Sequence, residues 1–505
     1  MKPIKFLTQT ALGVLLIVGS VGSSQVMNSS EASAAESKGV LKFGAALQSR
    51  HWNTFRQIGD TFPALIFENL VNYSPDGKSV IPRLATSWTQ TRDKLTFKLQ
   101  KGAIFHDGTP FDSAAVLANF ARMKKSRGQY SVMLLPVSKM SASDDHTVVL
   151  DLKYPAPTLL RNLAMRGAVM VSPKTIEDKS FAKNPVGTAP WKLVKAESKH
   201  GTKIVVERFD KYYAPEKVGV SRIEVYSIPD PNTLLNAPVT GKLDAINVNG
   251  QLAGVAKAQG FEIRTKPVLI QHMLMLDRKK VFADENVRKA VCHAINTKVW
   301  VDVALNGFGK PQKSRFGNNL PGHYSDIQGY GHDLKKARAY MKAAGNPDIS
   351  FTFPAHSRMK ALAQLLKSQL AQIGIKVNVA AMTPRQYFSK YQSNAYPLQI
   401  NTSASENTGV YDYQKFRFGP KGTGNPFRVE IPELDAMTAA ALKETDPKKQ
   451  DAGWHKVMKY INDHALDCGF FQMNSVWAYN PKRIAKFGTT VMKPTALRYR
   501  EIRLK

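Results

Sequence analysis

Phe105-His106-Asp107-Gly108-Thr109-Pro110-Phe111-Asp112 joins two segments of different periodicity. Before it, Leu95 to Leu99 (LTFKL) alternates apolar and polar residues, as a half-buried strand does. After it, Ala114 to Met123 repeats its apolar residues at helical spacing. Asp107-Gly108 suits a tight turn, because glycine tolerates positive φ and an aspartate can bond its own backbone. Asp112 or Ser113 is placed to cap the helix, since a short side-chain oxygen accepts from its first free amides. The segment therefore reads as strand, turn and capped helix. His106-Asp107 has the form of a dyad fragment, but a triad needs converging partners that sequence does not supply.

The chain around this segment has 505 residues, more than one hydrophobic core supports, so two or three substructures are expected. Its 43% apolar content is ordinary for a globular protein. Lys2 and Lys5, the short apolar run Ala11 to Val18 and the small-residue site Ala32-Ser33-Ala34 read as an export signal over residues 1–34. No later run is long and apolar enough to cross a bilayer. With no cysteine near the signal, a lipoprotein is not expected, and the location implied is a periplasm. The formal charge is +32, and loss of Lys2, Lys5 and Glu31 leaves +31. The basic residues are spread along the chain without a tract interleaved with aromatics, which argues against nucleic acid. A solvated lysine-rich surface is the plain reading, and a field that attracts anionic ligands is the alternative. Cys292 and Cys468 could pair in an exported protein, but the favoured reading is two small buried hydrophobes.

Strand-like and helix-like patterns alternate throughout, which implies α/β layers. Strands are expected at Val40 to Leu47, Val148 to Leu152, Lys203 to Val206, Arg222 to Ile228, Val268 to Leu276 and Ile375 to Ala380. Helices are expected at Thr61 to Leu70, Glu285 to Ile295, Leu334 to Ala344, Met359 to Ile373 and Pro432 to Leu442. Gly345 and Gly374 suit left-handed C-terminal caps, and Asp333 suits an N-terminal one.

Six further blocks accompany KGAIFHDGTPFDSAAVLANFARM. They are Leu65 to Trp88, Asn184 to Trp191 (NPVGTAPW), Gly241-Lys242-Leu243-Asp244, Phe282 to Val291 with His293-Ala294-Ile295-Asn296, Leu362 to Val377, and Ile431 to Asp435. In this order the set resembles the peptide/nickel-type (family 5) extracellular solute-binding proteins of ABC importers. The resemblance implies a two-lobed α/β periplasmic binding protein fold with an insertion domain in the first lobe. The implied division is 36–75, 182–268 and 478–505 for lobe I, 76–181 for the insertion and 269–477 for lobe II. It places His106 in a structural turn.

Enzyme motifs are missing: there is no G-x-S-x-G elbow, H-E-x-x-H helix or phosphate-cradling glycine loop. Neither a cofactor nor a metal site is expected, since histidines are not paired at ligand spacing. The resemblance puts the functional surface in the cleft between lobes, and three stretches are candidates for it. In QSRHWNT (48–54), His51 and Trp52 replace the family's short Asp-Pro loop, and Trp52 either stacks on a ligand or is a rim or core aromatic. In QHMLMLDR (271–278), Asp277 and Arg278 form either an exposed ion pair or a carboxylate clamp. In Gln399 to Phe418, peptide-binding relatives place an acid just after the strand; here Asn401-Thr402-Ser403 stand instead, and Glu406 and Asp412 are displaced. Asn401, Glu406, Tyr411, Asp412, Tyr413 and Arg417 are pocket candidates, with solvent-facing loop positions as the alternative.

The expected function is the periplasmic capture of a peptide or peptide-like solute and its delivery to an inner-membrane permease, by a monomer. Glutathione, haem or chelated nickel are alternative cargoes. An exported hydrolase and a periplasmic chaperone are the rivals from other classes.

Overall fold

The computed structural model describes residues 39–45, 52, 63–126, 131, 133–165, 168–176, 178–317, 322–356, 359–391, 395–403, 409–419, 422, 425, 427–490 and 497–505. Residues 1–38, His51 and Glu406 lie outside them. Among the described residues no helix is long and apolar enough to cross a membrane.

One mixed sheet runs through the molecule. Its order is Leu398–Ser403, Glu262–Leu276, Asp467–Tyr479, Ala245–Asn247, Val40–Ala45, Arg222–Ser227, Lys203–Arg208 and Trp191–Leu193, with Gly309–Pro311 added to Asp467–Tyr479. Val40–Ala45 is parallel to both neighbours, and the remaining pairs are antiparallel. Two long strands, Glu262–Leu276 and Asp467–Tyr479, pair from Glu262↔Tyr479 to Met275↔Asp467. At about 3.3 Å per residue each is roughly 40–50 Å long, enough to pass from one lobe into the other. Their register shifts between Pro267 and Gln271 and again between His272 and Leu274, irregularities of the kind at which a ribbon can bend. Sequence alternation foresees only Val268 to Leu276 of the first strand, because Lys266-Pro267 interrupts the apolar pattern. Proline lacks a ladder donor and is tolerated at such an irregularity.

Beyond the crossing, alternate residues feed two cores. Leu274 and Leu276 pack with Phe471, Trp300 and Phe351 on one face, while Met273 and Met275 pack with Phe470, Phe316 and Tyr413 on the other. At the opposite end Leu41, Phe43, Trp191, Val225 and Trp477 form the core of the first lobe. A separate antiparallel sheet, ordered Ala85–Gln90, Lys94–Leu99, Thr147–Leu152 and Val137–Asp144, is covered by helix Ser113–Lys125. Strand Lys94–Leu99 buries Leu95, Phe97 and Leu99 and turns its alternate residues outward, as its alternation requires.

The turn Phe105 to Asp112 fixes how that smaller sheet meets the rest. Asp112 caps the helix by accepting from Ala115 N at 2.8 Å, and Gly108 has φ 81°. His106 Nε2 faces the Ala189 carbonyl at 2.8 Å, and its Nδ1 lies 3.4 Å from the Gly187 amide. That pair of contacts places the proton on Nε2, which donates while Nδ1 accepts. Asp107 accepts from Ser172 Oγ at 2.6 Å. The two sequence blocks FHDGTPFD and NPVGTAPW are thus one docking joint, and His106 is consumed in it. Gly187 is required there because a Cβ would sit 2.0 Å from the Ile66 carbonyl oxygen.

Helices Glu285–Ala294, Leu334–Ala343, Lys360–Ala371 and Pro432–Lys443 match the expected periodicities to within a few residues. Asp333 accepts from Lys336 N, and Gly345 and Gly374 have φ near 80°. The expected helix Thr61 to Leu70 is corrected: only Pro63–Ile66 is helical among its described residues. The Ile66 and Glu68 carbonyls accept from Ala189 and Met170 amides, so tertiary pairing takes groups that a helix would have used.

The cysteine reading is also corrected. Cys292 and Cys468 are disulfide-bonded, with Cα atoms 5.6 Å apart, linking helix Glu285–Ala294 to the start of strand Asp467–Tyr479. Both are fully buried, so burial was foreseen but pairing depended on a register 176 residues long. Next to the bond, Asp467 has no exposed surface. Arg315 reaches it through Nε at 2.6 Å, and the Tyr413 hydroxyl donates to its Oδ2. Arg315 also lies over the Phe470 ring, 5.0 Å from its centroid.

Three outcomes follow from these contacts. Intact-mass analysis after alkylation without reductant should show no adduct on Cys292 or Cys468, and two after reduction in denaturant. Asp467→Ala strands a buried guanidinium and should cost about 3–5 kcal/mol in urea unfolding, whereas Tyr413→Phe should cost about 1–2 kcal/mol because Arg315 still pairs the acid. Burial holds His106 and His272 neutral, with pKa values pulled down to about 4. An unfolded imidazole titrates at about 6.5, so the unfolded state binds more protons below that pH and stability falls as pH drops from there toward 4. The urea midpoint should therefore decline across this window, and His106→Asn should remove part of the decline.

Candidate functional site

Besides the docking joint at His106, the smaller sheet's side meets the rest of the molecule at a second place. There Tyr154, Thr158 and Asn162, from the smaller sheet's side, meet helix Val410–Arg417. This stretch was open to a loop reading; the structure corrects it to a helix, with Val410, Tyr413, Gln414 and Arg417 buried along one face at spacings of three and four. Asp412 Oδ2 accepts from Asn162 Nδ2 at 3.0 Å and from Thr158 Oγ1 at 3.3 Å. Burial raises the Asp412 pKa, and the two donors pull it back. Tyr411 packs edge-on against Tyr154 at 6.1 Å and lies 6.3 Å from Trp454.

The other candidates separate. Trp52 is 2% exposed, its amide donates to the Ala182 carbonyl, and its ring packs beside Phe67 and His200. It is a core aromatic of the first lobe. Asp277 is buried, and its carboxylate accepts from Lys279 N at 2.8 Å, so it terminates the crossing strand instead of forming an exposed ion pair with Arg278. Arg278 lies over the Phe418 ring at 5.4 Å, and burial and the nearby Arg288 pull its pKa down to about 10. Both stand at the strand's outer end, several residues past the register shifts. Asn401 is buried opposite Met273 in strand Leu398–Ser403. Tyr413 belongs to the Asp467 network, and Arg417 lies over the adjacent Phe416 ring at 4.6 Å.

His272 was missed as a candidate although it lies within QHMLMLDR. It sits at the crossing, stacked on Phe471 with centroids 4.9 Å apart, and its Nδ1 has no hydrogen-bond partner. Strand pattern alone marks it as one residue in an apolar run. Thr158 and Asn162 carried no signal at all, since their partner is about 250 positions away. Elsewhere, a concavity of about 710 Å³ lies on the smaller sheet, lined by Thr86, Lys98, Lys101, Asp144 and His146 among others. Its Lys98 ammonium donates to Thr147, and no described group of three His, Cys, Asp or Glu is poised to hold a metal.

The arrangement is two lobes joined by a long-strand ribbon of irregular register, with a polar contact between distant segments at Asp412. Comparison with known proteins agrees. GsiB of Pectobacterium atrosepticum, a glutathione-binding protein, is 28% identical over 425 residues, 77% of this chain and 79% of its own. The glutathione-binding protein GsiB of Salmonella paratyphi A is 30% identical over 390 residues, covering 73% and 75%. Among solved structures, the periplasmic binding protein DppA of Helicobacter pylori in complex with the peptide STSA superposes with TM-score 0.79 at 23% identity, over 93% of this chain and 99% of that one. NikA of Brucella suis in complex with Fe(III)-EDTA gives 0.78 at 21%, over 92% and 100%. These likenesses carry the two-lobed fold. The model of bacterial extracellular solute-binding proteins, family 5 middle region, matches residues 79–425. That span is more than half of the chain, which therefore belongs to the family 5 bacterial extracellular solute-binding proteins.

Proposed function

We propose that this protein captures a small, polar, peptide-like solute between its lobes in the periplasm and hands it to the permease subunits of an ABC importer. The observation that carries the reading is the long two-strand ribbon with its two register shifts, together with a second contact between distant segments at Asp412, a geometry suited to hinge closure around a solute. The division proposed for the working parts is residues 36–75, 182–268 and 478–505 against 269–477, with 76–181 as the insertion and 1–34 as a cleaved export signal. The protein acts as a monomer and without turnover.

Glutathione is the first cargo to test, since the relatives cited are named for it. Two features of this chain support an anionic peptide-like ligand. The buried acid Asp412 is already engaged by Asn162 and Thr158, and Asn401, Thr402 and Ser403 offer no carboxylate for a ligand ammonium. The net charge of the chain attracts anions from a distance.

Thermal-shift and native mass spectrometry with glutathione, the tetrapeptide STSA and a panel of di- and tripeptides test the proposal. One compound should bind one to one, remain intact, and raise stability by about 2.7 kcal/mol at a hundredfold excess over its Kd. No saturable binder in the panel or in periplasmic extract, or turnover of the bound compound, would sink it.

A further inference from the structure

We propose that Asp412, Asn162 and Thr158 form a latch that sets solute affinity by holding the lobes shut, acting as positioning residues and not as solute contacts. The inference rests on the hinge reading above and deepens it.

The contact has the properties of a latch. It joins segments about 250 residues apart through one carboxylate oxygen that takes two hydrogen bonds from neutral donors. Asp412 is 9% exposed, and among the described residues no Lys or Arg pairs with it. A carboxylate without a cation is expensive to bury, and these two donors are what offset the loss of its water. When the lobes part, the carboxylate regains water and Asn162 and Thr158 lose it as an acceptor. Closure is therefore balanced at this point: desolvation of one charge opposes it, and two charge-assisted hydrogen bonds favour it.

Both halves are mounted firmly. On one side, Tyr413, the next residue after Asp412, is anchored to Asp467 on the crossover ribbon. On the other, the Arg161 carbonyl beside Asn162 accepts from the Tyr73 hydroxyl at 3.1 Å. The surfaces also fit closely enough to demand a glycine. Gly409 has φ −157°, extended backbone open to any residue, yet a Cβ on it would lie 2.7 Å from Thr158 Cγ2. Glycine is there for approach, not for conformation.

A latch of this kind changes the population of the closed state, and apparent affinity scales with that population. Asn162→Leu leaves the carboxylate buried with one donor fewer and should lower the closed fraction and weaken binding by about tenfold or more. Gly409→Ala should do the same by obstruction. Thr158→Ser in the Gly409→Ala background should restore closure, because it removes Cγ2 and keeps Oγ1. Asp412→Asn, which keeps an acceptor and removes the charge, should close at least as well as the unaltered protein.

The test is single-molecule fluorescence of a donor–acceptor pair across the lobes, read without ligand, alongside glutathione titration. The expected result is a reduced closed fraction in Asn162→Leu and Gly409→Ala, recovered in Gly409→Ala/Thr158→Ser. Unchanged closed fractions would overturn the latch, as would a loss of affinity with closure intact, which would make Asp412 a direct contact. If the unaltered protein ignores glutathione, the cargo assignment fails, while the ligand-free closed fractions still decide the latch. Should Asn162→Leu not fold, the Gly409→Ala pair carries the same decision.

Discussion

The pairing of Glu262–Leu276 with Asp467–Tyr479 is the constraint on which everything else hangs. These strands are the shared spine of both lobes, and their alternate residues seed a core on each face of the second. At their outer end Asp467 and Cys468 gather an arginine, a tyrosine and a second cysteine, so the ribbon is fixed by charge and by covalent bond where it leaves the crossing. Near the crossing itself the register slips twice. Rigidity at the end and irregularity at the middle are what a body that bends between its lobes needs, because a regular ladder resists bending and a bulge accommodates it.

Function then depends on what the ribbon brings together. The helix Val410–Arg417 is tied to the spine through Tyr413, and its neighbouring residue Asp412 is delivered to Asn162 and Thr158. One turn of helix thus serves two structures with adjacent residues. His272 lies at the register shift, kept neutral by burial and stacked on Phe471, with its Nδ1 buried and without a hydrogen-bond partner. The family's variety of cargo is compatible with this plan, since the frame is set by strands and cores while the chemistry facing the inter-lobe space comes from a few side chains.

Much of the frame was legible in the sequence. Caps at Asp112 and Asp333, glycines at 345 and 374 and the alternation of Lys94–Leu99 are local rules, and the structure follows them. What failed was non-local. Thr61 to Leu70 looked helical, yet its Ile66 and Glu68 carbonyls are taken by the amides of Ala189 and Met170, far away in the chain. Pro267 hid the first part of the long strand, Glu262 to Pro267, although a proline beside a register shift costs little. The partnership of Asp412 with Asn162, and of Cys292 with Cys468, exists only once the fold has brought distant residues together. Trp52 and Tyr413 show the same limit from the other side: residue types suited to a pocket are equally suited to a core, and composition does not say which way they face.

The bond between Cys292 and Cys468, 176 positions apart, closes a ring of chain that contains most of the core around Trp300 and Phe353. Its two ends meet at the crossover ribbon. A protease that cuts a single loop inside that ring opens the circle without freeing a fragment, since both pieces stay attached at the same point. The core inside the ring therefore survives a nick as a single covalent body.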